Sequence, residues 1–84
     1  MNCLADSRVR TRRARDRLER HDQVLDVDHL EPGEGRTERF ELEILLSASA
    51  RGVPHDVLDI LGSYQLRLRD VSPYNGYWMA LATV

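Results

Sequence analysis

The clearest pattern in the chain is a two-residue alternation: Phe40, Leu42, Ile44 and Leu46 interleave with Arg39, Glu41 and Glu43. Successive side chains of a strand point to opposite faces, so this period predicts a strand over 40–46 (β2) with one buried face. Upstream, residues 23–31 (QVLDVDHLE) mix Val24, Leu25, Val27 and Leu30 with Asp26 and Asp28 in the looser alternation of a half-exposed strand (β1). Pro32-Gly33-Glu34-Gly35 between them reads as a turn, since proline sets one dihedral and glycine permits positive φ. The two strands are therefore expected to pair as a hairpin.

Pro54, Val57, Leu58 and Leu61 follow the i, i+3, i+4, i+7 spacing of a short amphipathic helix (α2, 54–61) after the small-residue stretch Ser47 to Gly52. Pro54 suits the first turn, and Gly62 is placed to end the helix in a left-handed cap. Tyr64, Leu66 and Leu68 alternate with Gln65, Arg67 and Arg69 as a third strand (β3, 64–69). After a loop over Ser72–Gly76, Tyr77 to Val84 is apolar on both faces (β4). A strand of that kind belongs in the centre of a sheet.

Ahead of these lies ADSRVRTRRARDRLERH, residues 5–21, free of Gly and Pro and carrying Arg15/Glu19 and Asp16/Arg20 at i,i+4 spacing. A helix (α1) is expected. Its apolar stripe, Leu4, Thr11, Ala14, Leu18 and Leu25, is thin and is interrupted by Ser7 and His21.

The order α1-β1-β2-α2-β3-β4 constrains the topology. A right-handed crossover through α2 makes β2 and β3 parallel with room for one strand between them, which β4 fills. The expected fold is an α+β two-layer sandwich: a four-stranded antiparallel sheet in the order β1-β2-β4-β3 with both helices on one face. This is a circular permutation of the ferredoxin-like arrangement.

Composition narrows what such a domain can do. With 84 residues, 42% of them hydrophobic and 31% charged, the chain suits one modest core under a charged surface. All 12 basic residues are arginine, which excludes Schiff-base chemistry at lysine, a P-loop lysine and a Ser-Lys dyad. Cys3 is the only cysteine, so neither an intrachain disulfide nor a cysteine-rich zinc site is available. The longest apolar run, Tyr77 to Ala82, is far below the ~20 residues of a membrane span, and the start lacks a signal peptide's apolar stretch. A cytoplasmic location without membrane association is expected. The net charge of -2 hides a split: residues 1–21 hold seven Arg against Asp6, Asp16 and Glu19, whereas residues 22–84 hold five Arg against eleven carboxylates. The chain reads as an Arg-rich helix or extension (1–21) on a sandwich (22–84), a single domain overall. A start site assigned too far upstream is an alternative source of part of that basic head.

Residues 40–84, FELEILLSASARGVPHDVLDILGSYQLRLRDVSPYNGYWMALATV, resemble the first two-thirds of an ACT domain. The matching pieces are the strand Phe40–Leu46, the turn Arg51-Gly52-Val53, the helix ending Leu58-Asp59-Ile60-Leu61-Gly62, and the run Leu66 to Ser72. ACT domains are regulatory modules that often dimerise and bind amino acids or other small effectors near the turn after their first strand. The resemblance implies a site at Gly52 and Val53, beside which His55 opens the second helix. The family's C-terminal helix and strand have no counterpart here unless α1 and β1 take their places.

Four constellations remain. The face of the sheet away from the helices presents from β4 either Tyr77, Met79 and Leu81 or Trp78, Ala80 and Ala82, with Glu41 and Glu43 on one side and Arg67 and Arg69 on the other. An apolar row between opposite charges suits a two-fold contact, so homodimerisation through Glu41, Glu43, Arg67, Arg69, Tyr77, Met79 and Leu81 is expected. The arginines of α1, Arg8, Arg12, Arg13, Arg15 and Arg17 among them, are the alternative site, for nucleic-acid phosphates, although Arg10 and Arg20 complete a set that points nearly all round the helix. Asp26, Asp28, His29, Glu31 and Glu34 match no calcium loop, and a strand turns Asp26 and Asp28 away from His29, so no metal site is expected. The scattered His21, His29 and His55 and the serines Ser47, Ser49 and Ser63 form no nucleophile motif, and no catalytic residue or cofactor is assigned. The expected function is a non-enzymatic binding or regulatory module, homodimeric and with a small-molecule effector.

Overall fold

The computed structural model describes residues 3–35, 37–48 and 52–84, and in the first helix the side chains from Asp6 onward. Leu4, Ser49 and Arg51 of the reading above lie outside the described residues or side chains. The elements run α1 (Cys3–Leu18), β1 (Val24–Leu30), β2 (Glu41–Leu46), α2 (His55–Ser63), β3 (Arg67–Tyr74) and β4 (Tyr77–Thr83). The four strands form one antiparallel sheet in the order β1-β2-β4-β3, as the crossover argument requires. The fold is a two-layer α+β sandwich.

The core is the layer between the helices and one sheet face. Ala14 and Leu18 of α1 and Val57 and Leu61 of α2 meet Val27, Leu42, Ile44, Leu46, Ala80 and Ala82 of the sheet, all buried. Small alanines on central β4 let the helices sit close, and Leu18, Leu42, Ile44 and Leu46 fill the space at 0% exposure. Thr11, also fully buried, completes the α1 stripe by giving its hydroxyl to backbone carbonyls one turn back. Leu25 does not extend that stripe. It is the extra residue of a β-bulge between Val24 and Asp26 and is 52% exposed.

Several boundaries differ from the sequence reading, beginning with α1, which spans Cys3–Leu18 rather than 5–21. Pro54 is the N-cap of α2, in extended conformation, and the helix continues through Gly62 to Ser63. The left-handed residue is Gln65 (φ 58), where Gln65 N donates to Gly62 O and Leu66 N to Leu61 O. This double bond satisfies the last carbonyls and carries Leu66 into the core. Strand β3 begins later than expected and runs through Ser72 and Pro73 to Tyr74, so the expected five-residue loop is only a turn at Asn75 (φ 48) and Gly76 (φ 85). Two consecutive left-handed residues match the twist of the flanking strands, which is why Asn-Gly serves there.

Candidate functional site

The register divides the sheet into two faces. Leu42, Ile44, Leu46, Trp78, Ala80 and Ala82 face the helices, and the alternate residues form the open face in three rows. One row is Asp26, Leu45, Met79 and Ser72; the next is Asp28, Glu43, Leu81 and Asp70; the third is Leu30, Glu41, Thr83 and Arg67. Of the two β4 sets left open by the sequence, Tyr77, Met79 and Leu81 therefore point outward. Glu43 and Arg67 share their face from opposite sides, as the dimer reading requires.

Three of the residues assigned to that face are used differently. Glu41 is fully buried, not an exposed acid: the turn after Gly35 folds back over it, and Thr37 donates to Glu41 Oε2 from its backbone N (2.7 Å) and its hydroxyl (3.2 Å). Arg69 reaches along the sheet so that its Nε donates to Thr83 Oγ1 at 3.0 Å, and Leu81 is only 7% exposed. What stays accessible is a shorter apolar strip: Leu45 and Met79, both half-buried, leading to Tyr77 and Tyr74, which are paired across the hairpin. Carboxylates of Asp26, Asp28 and Glu43 border the strip on the β1–β2 side; Arg67, Arg69 and Asp70 border it on the β3 side.

The arginines of α1 fall into two groups that the sequence did not distinguish. Arg8 Nε bonds Glu31 Oε1 at 3.1 Å with its guanidinium over the Phe40 ring, Arg10 donates to Gln65 Oε1 at 3.0 Å, and Arg15 reaches Asp16 (3.3 Å) and Glu19 (3.6 Å). Arg12, Arg13, Arg17 and Arg20 are exposed and make no ion pair with a described residue. Residues 13, 17 and 20 stand at i, i+4, i+7, the spacing of one helical face, although Arg20 lies just past the last helical residue. Arg17 also lines a shallow groove with Asp56, Asp59, Ile60 and Ser63 of α2, so this strip has an acidic neighbour. At that end His21 Nε2 lies 3.4 Å from Asp56 Oδ2, tying the end of α1 to the start of α2.

Gly52 (φ +106) precedes α2, Val53 packs against the core, and His55 is exposed in the first turn. A second shallow groove, at the β3 bulge, is lined by Leu68, Arg69, Asp70 and Val71; neither groove includes Gly52, Val53 or His55. The acidic cluster of the first hairpin is dispersed. Asp26 and Asp28 lie on the open face, His29 turns inward to Thr11, Glu31 pairs with Arg8, and Glu34 accepts from Glu31 N. Among the described residues no three His, Cys, Asp or Glu side chains converge as a metal site, and no described helix is long and apolar enough to cross a membrane.

No family model matches the chain, and neither a curated protein nor a solved structure shows significant similarity to it.

Proposed function

We propose that the protein is a small non-enzymatic binding module that acts as a homodimer, two copies packing through their open sheet faces. The observation that carries this reading is the strip Leu45, Met79, Tyr77 and Tyr74, with Asp26, Asp28 and Glu43 along one border and Arg67 and Arg69, together with Asp70, along the other. Burying this strip removes apolar surface from water, and opposite borders suit a self-complementary contact. The sheet edges are poor alternatives. The outer edge of β1 is interrupted by the bulge at Leu25 and carries Asp26 and Asp28; that of β3 has a bulge between Leu68 and Asp70 and then Pro73, which lacks an N–H. Both devices discourage edge-to-edge pairing.

Strand spacing makes the face about 19 Å by 23 Å, some 440 Å² in projection, against the ~800 Å² of accessible surface per partner in a standard interface. The expected dimer is micromolar. Sedimentation equilibrium between about 1 and 100 μM tests it: the mean mass rises towards twice 9.7 kDa, and Met79→Glu holds it at one chain. A wild-type chain that stays monomeric throughout sinks the reading.

A second reading is favoured by one observation, the line of unpaired Arg13, Arg17 and Arg20 with Arg12 beside it. As a contact for nucleic-acid phosphates it would release counterions and make binding steeply salt-dependent, the slope falling by about 0.9 for each contact removed. Replacing these four arginines by Gln tests it without disturbing Thr11, Ala14 and Leu18, which hold the helix to the core. Retention on DNA or RNA that is no weaker in the variant eliminates the strip as the contact.

A further inference from the structure

Asp56, Asp59, Ile60 and Ser63 follow the i, i+3, i+4, i+7 spacing along α2, so one side of that helix carries all four. Between this side and α1 runs a groove whose other wall is Arg17. Two tethers fix the spacing of the helices: His21 Nε2 lies 3.4 Å from Asp56 Oδ2 near one end, and Arg10 donates to Gln65 Oε1 at 3.0 Å beyond the other. The groove is thus set by the fold, which lowers the ordering cost of filling it.

Its charges are opposite and unpaired. Arg17 lines the same groove as Asp56 and Asp59, yet it forms an ion pair with neither, and Asp59 forms none with any described residue. Ser63 Oγ donates its proton to Asp59 O at 2.8 Å, which leaves the hydroxyl oxygen as an acceptor. The α2 wall therefore accepts hydrogen bonds, and the α1 wall, a planar guanidinium fork, only donates them. Ile60, half-buried against the core, adds an apolar patch.

A ligand of single charge meets one wall that attracts it and one that repels it. A molecule carrying both charges satisfies both walls, because a guanidinium binds a carboxylate through two parallel N–H···O bonds and a primary ammonium offers three donors. The groove volume of about 250 Å³ falls below the ~300–1,000 Å³ of pockets that take drug-sized ligands, so the occupant is compact. We infer that the groove between α1 and α2 binds a small zwitterion of the amino-acid class. Its carboxylate sits on Arg17, its ammonium on Asp59 and Asp56, and a short apolar side chain covers Ile60. The groove belongs to the helical layer, on the far side of the sheet from the open face, so this inference stands apart from the dimer proposed above.

Titration of the isotope-labelled chain with leucine, leucinamide and N-acetylleucine, followed by amide NMR, tests it. Leucine should give saturable shifts in the millimolar range, centred on Arg17, Asp56, Asp59, Ile60 and Ser63. Leucinamide lacks the carboxylate and N-acetylleucine the ammonium, and each should bind about tenfold more weakly or worse. Arg17→Gln and Asp59→Asn should each weaken leucine binding to a similar degree, whereas Asp22→Asn, an equal change of charge outside the groove, leaves it unaltered. All three positions are exposed, so the variants keep the fold, which the same spectra check. Equal binding of the three compounds, shifts centred elsewhere, no saturation by leucine, or full affinity in Arg17→Gln overturns the inference.

Discussion

Thr11 Oγ1 lies 2.7 Å from His29 Nε2, joining α1 to the edge strand β1. The same hydroxyl is 2.8 Å from Ser7 O and 3.0 Å from Arg8 O, both acceptors only, so its one proton goes to a carbonyl and its oxygen accepts from His29 Nε2–H. His29 packs near Phe40, ring centroids 5.6 Å apart, and Arg8 approaches that same ring. The histidine belongs to the joint between helix and sheet.

That position dictates a pH dependence. Burial lowers the His29 pKa below 6.5; Glu31 opposes the shift, and the nearby positive charges of Arg12, Arg15 and Arg8 add to it. A group with a depressed folded pKa binds its proton more readily when unfolded. Its contribution to stability is therefore fully present above about pH 6.5 and is lost as pH falls through the lower, folded value. Urea unfolding at a series of pH values between about 7.5 and 5 should show a falling midpoint with a shallower fall in His29→Gln. Equal slopes in the two proteins would remove His29 from the account.

Gly35 is held by proximity rather than by dihedral. A β-carbon there would stand 2.5 Å from Glu41 Oε2, the atom that Thr37 binds, while Glu41 Oε1 is buried with no hydrogen-bond partner among the described residues. Gly35→Ala should shift the carboxylate and weaken both Thr37 bonds, costing about 1–2 kcal/mol. Glu41→Gln keeps the shape and the acceptor that Thr37 binds, and is expected to cost less than Gly35→Ala. Chemical denaturation of the two variants gives the comparison, and a neutral Gly35→Ala would show that the turn gives way freely.

These residues also mark how far the sequence was legible. The two-residue period of Phe40–Leu46 and the double apolarity of Tyr77–Val84 reflect burial that strand geometry converts directly into faces, so the order of the sheet and the outward direction of Glu41 and Glu43 were readable, whereas a strand apolar on both faces left open which of its rows points outward. What covers an outward residue was not. Glu41 is buried by a polar turn with no periodicity, and Leu25 and Arg69 take their places from bulges that break the alternation. The split of the α1 arginines depends on where Glu31 and Gln65 lie in space, 23 and 55 residues from their partners, which helical periodicity cannot supply. The Asn75-Gly76 turn was legible in its residue types, but Ser72 and Pro73 beside it disguised the end of an edge strand as loop.

The Arg-rich segment is part of the folding unit. Leu18 is 0% exposed among Val27, Leu42 and the other core residues, and Thr11 and Ala14 are equally covered. Leu18→Ala should therefore cost about 2–5 kcal/mol, lowering the melting temperature by on the order of 10–40 °C in a domain of this size. Removal of residues 1–21 should abolish the cooperative thermal transition in circular dichroism. A truncated chain that still melts cooperatively would show that the sheet and α2 suffice.

Gln65 offers the opposite kind of change. Its φ of 58 lies in the left-handed region, where a β-carbon is unfavourable and glycine is not, and the cap it forms carries Leu66 into the core. Against that gain, Gln65→Gly gives up the hydrogen bond from Arg10 at 3.0 Å, an exposed contact between side chains. Such a bond contributes a few tenths of a kcal/mol in water, less than the roughly 1 kcal/mol by which glycine is preferred over other residues at this backbone conformation. Gln65→Gly should thus raise the unfolding free energy by about 0.5 kcal/mol, whereas Gln65→Ala, which loses the bond and keeps the β-carbon, should lower it. A glycine variant below the wild type but above the alanine variant would mean that the Arg10 contact outweighs backbone strain, and one below the alanine variant would remove backbone strain from this cap.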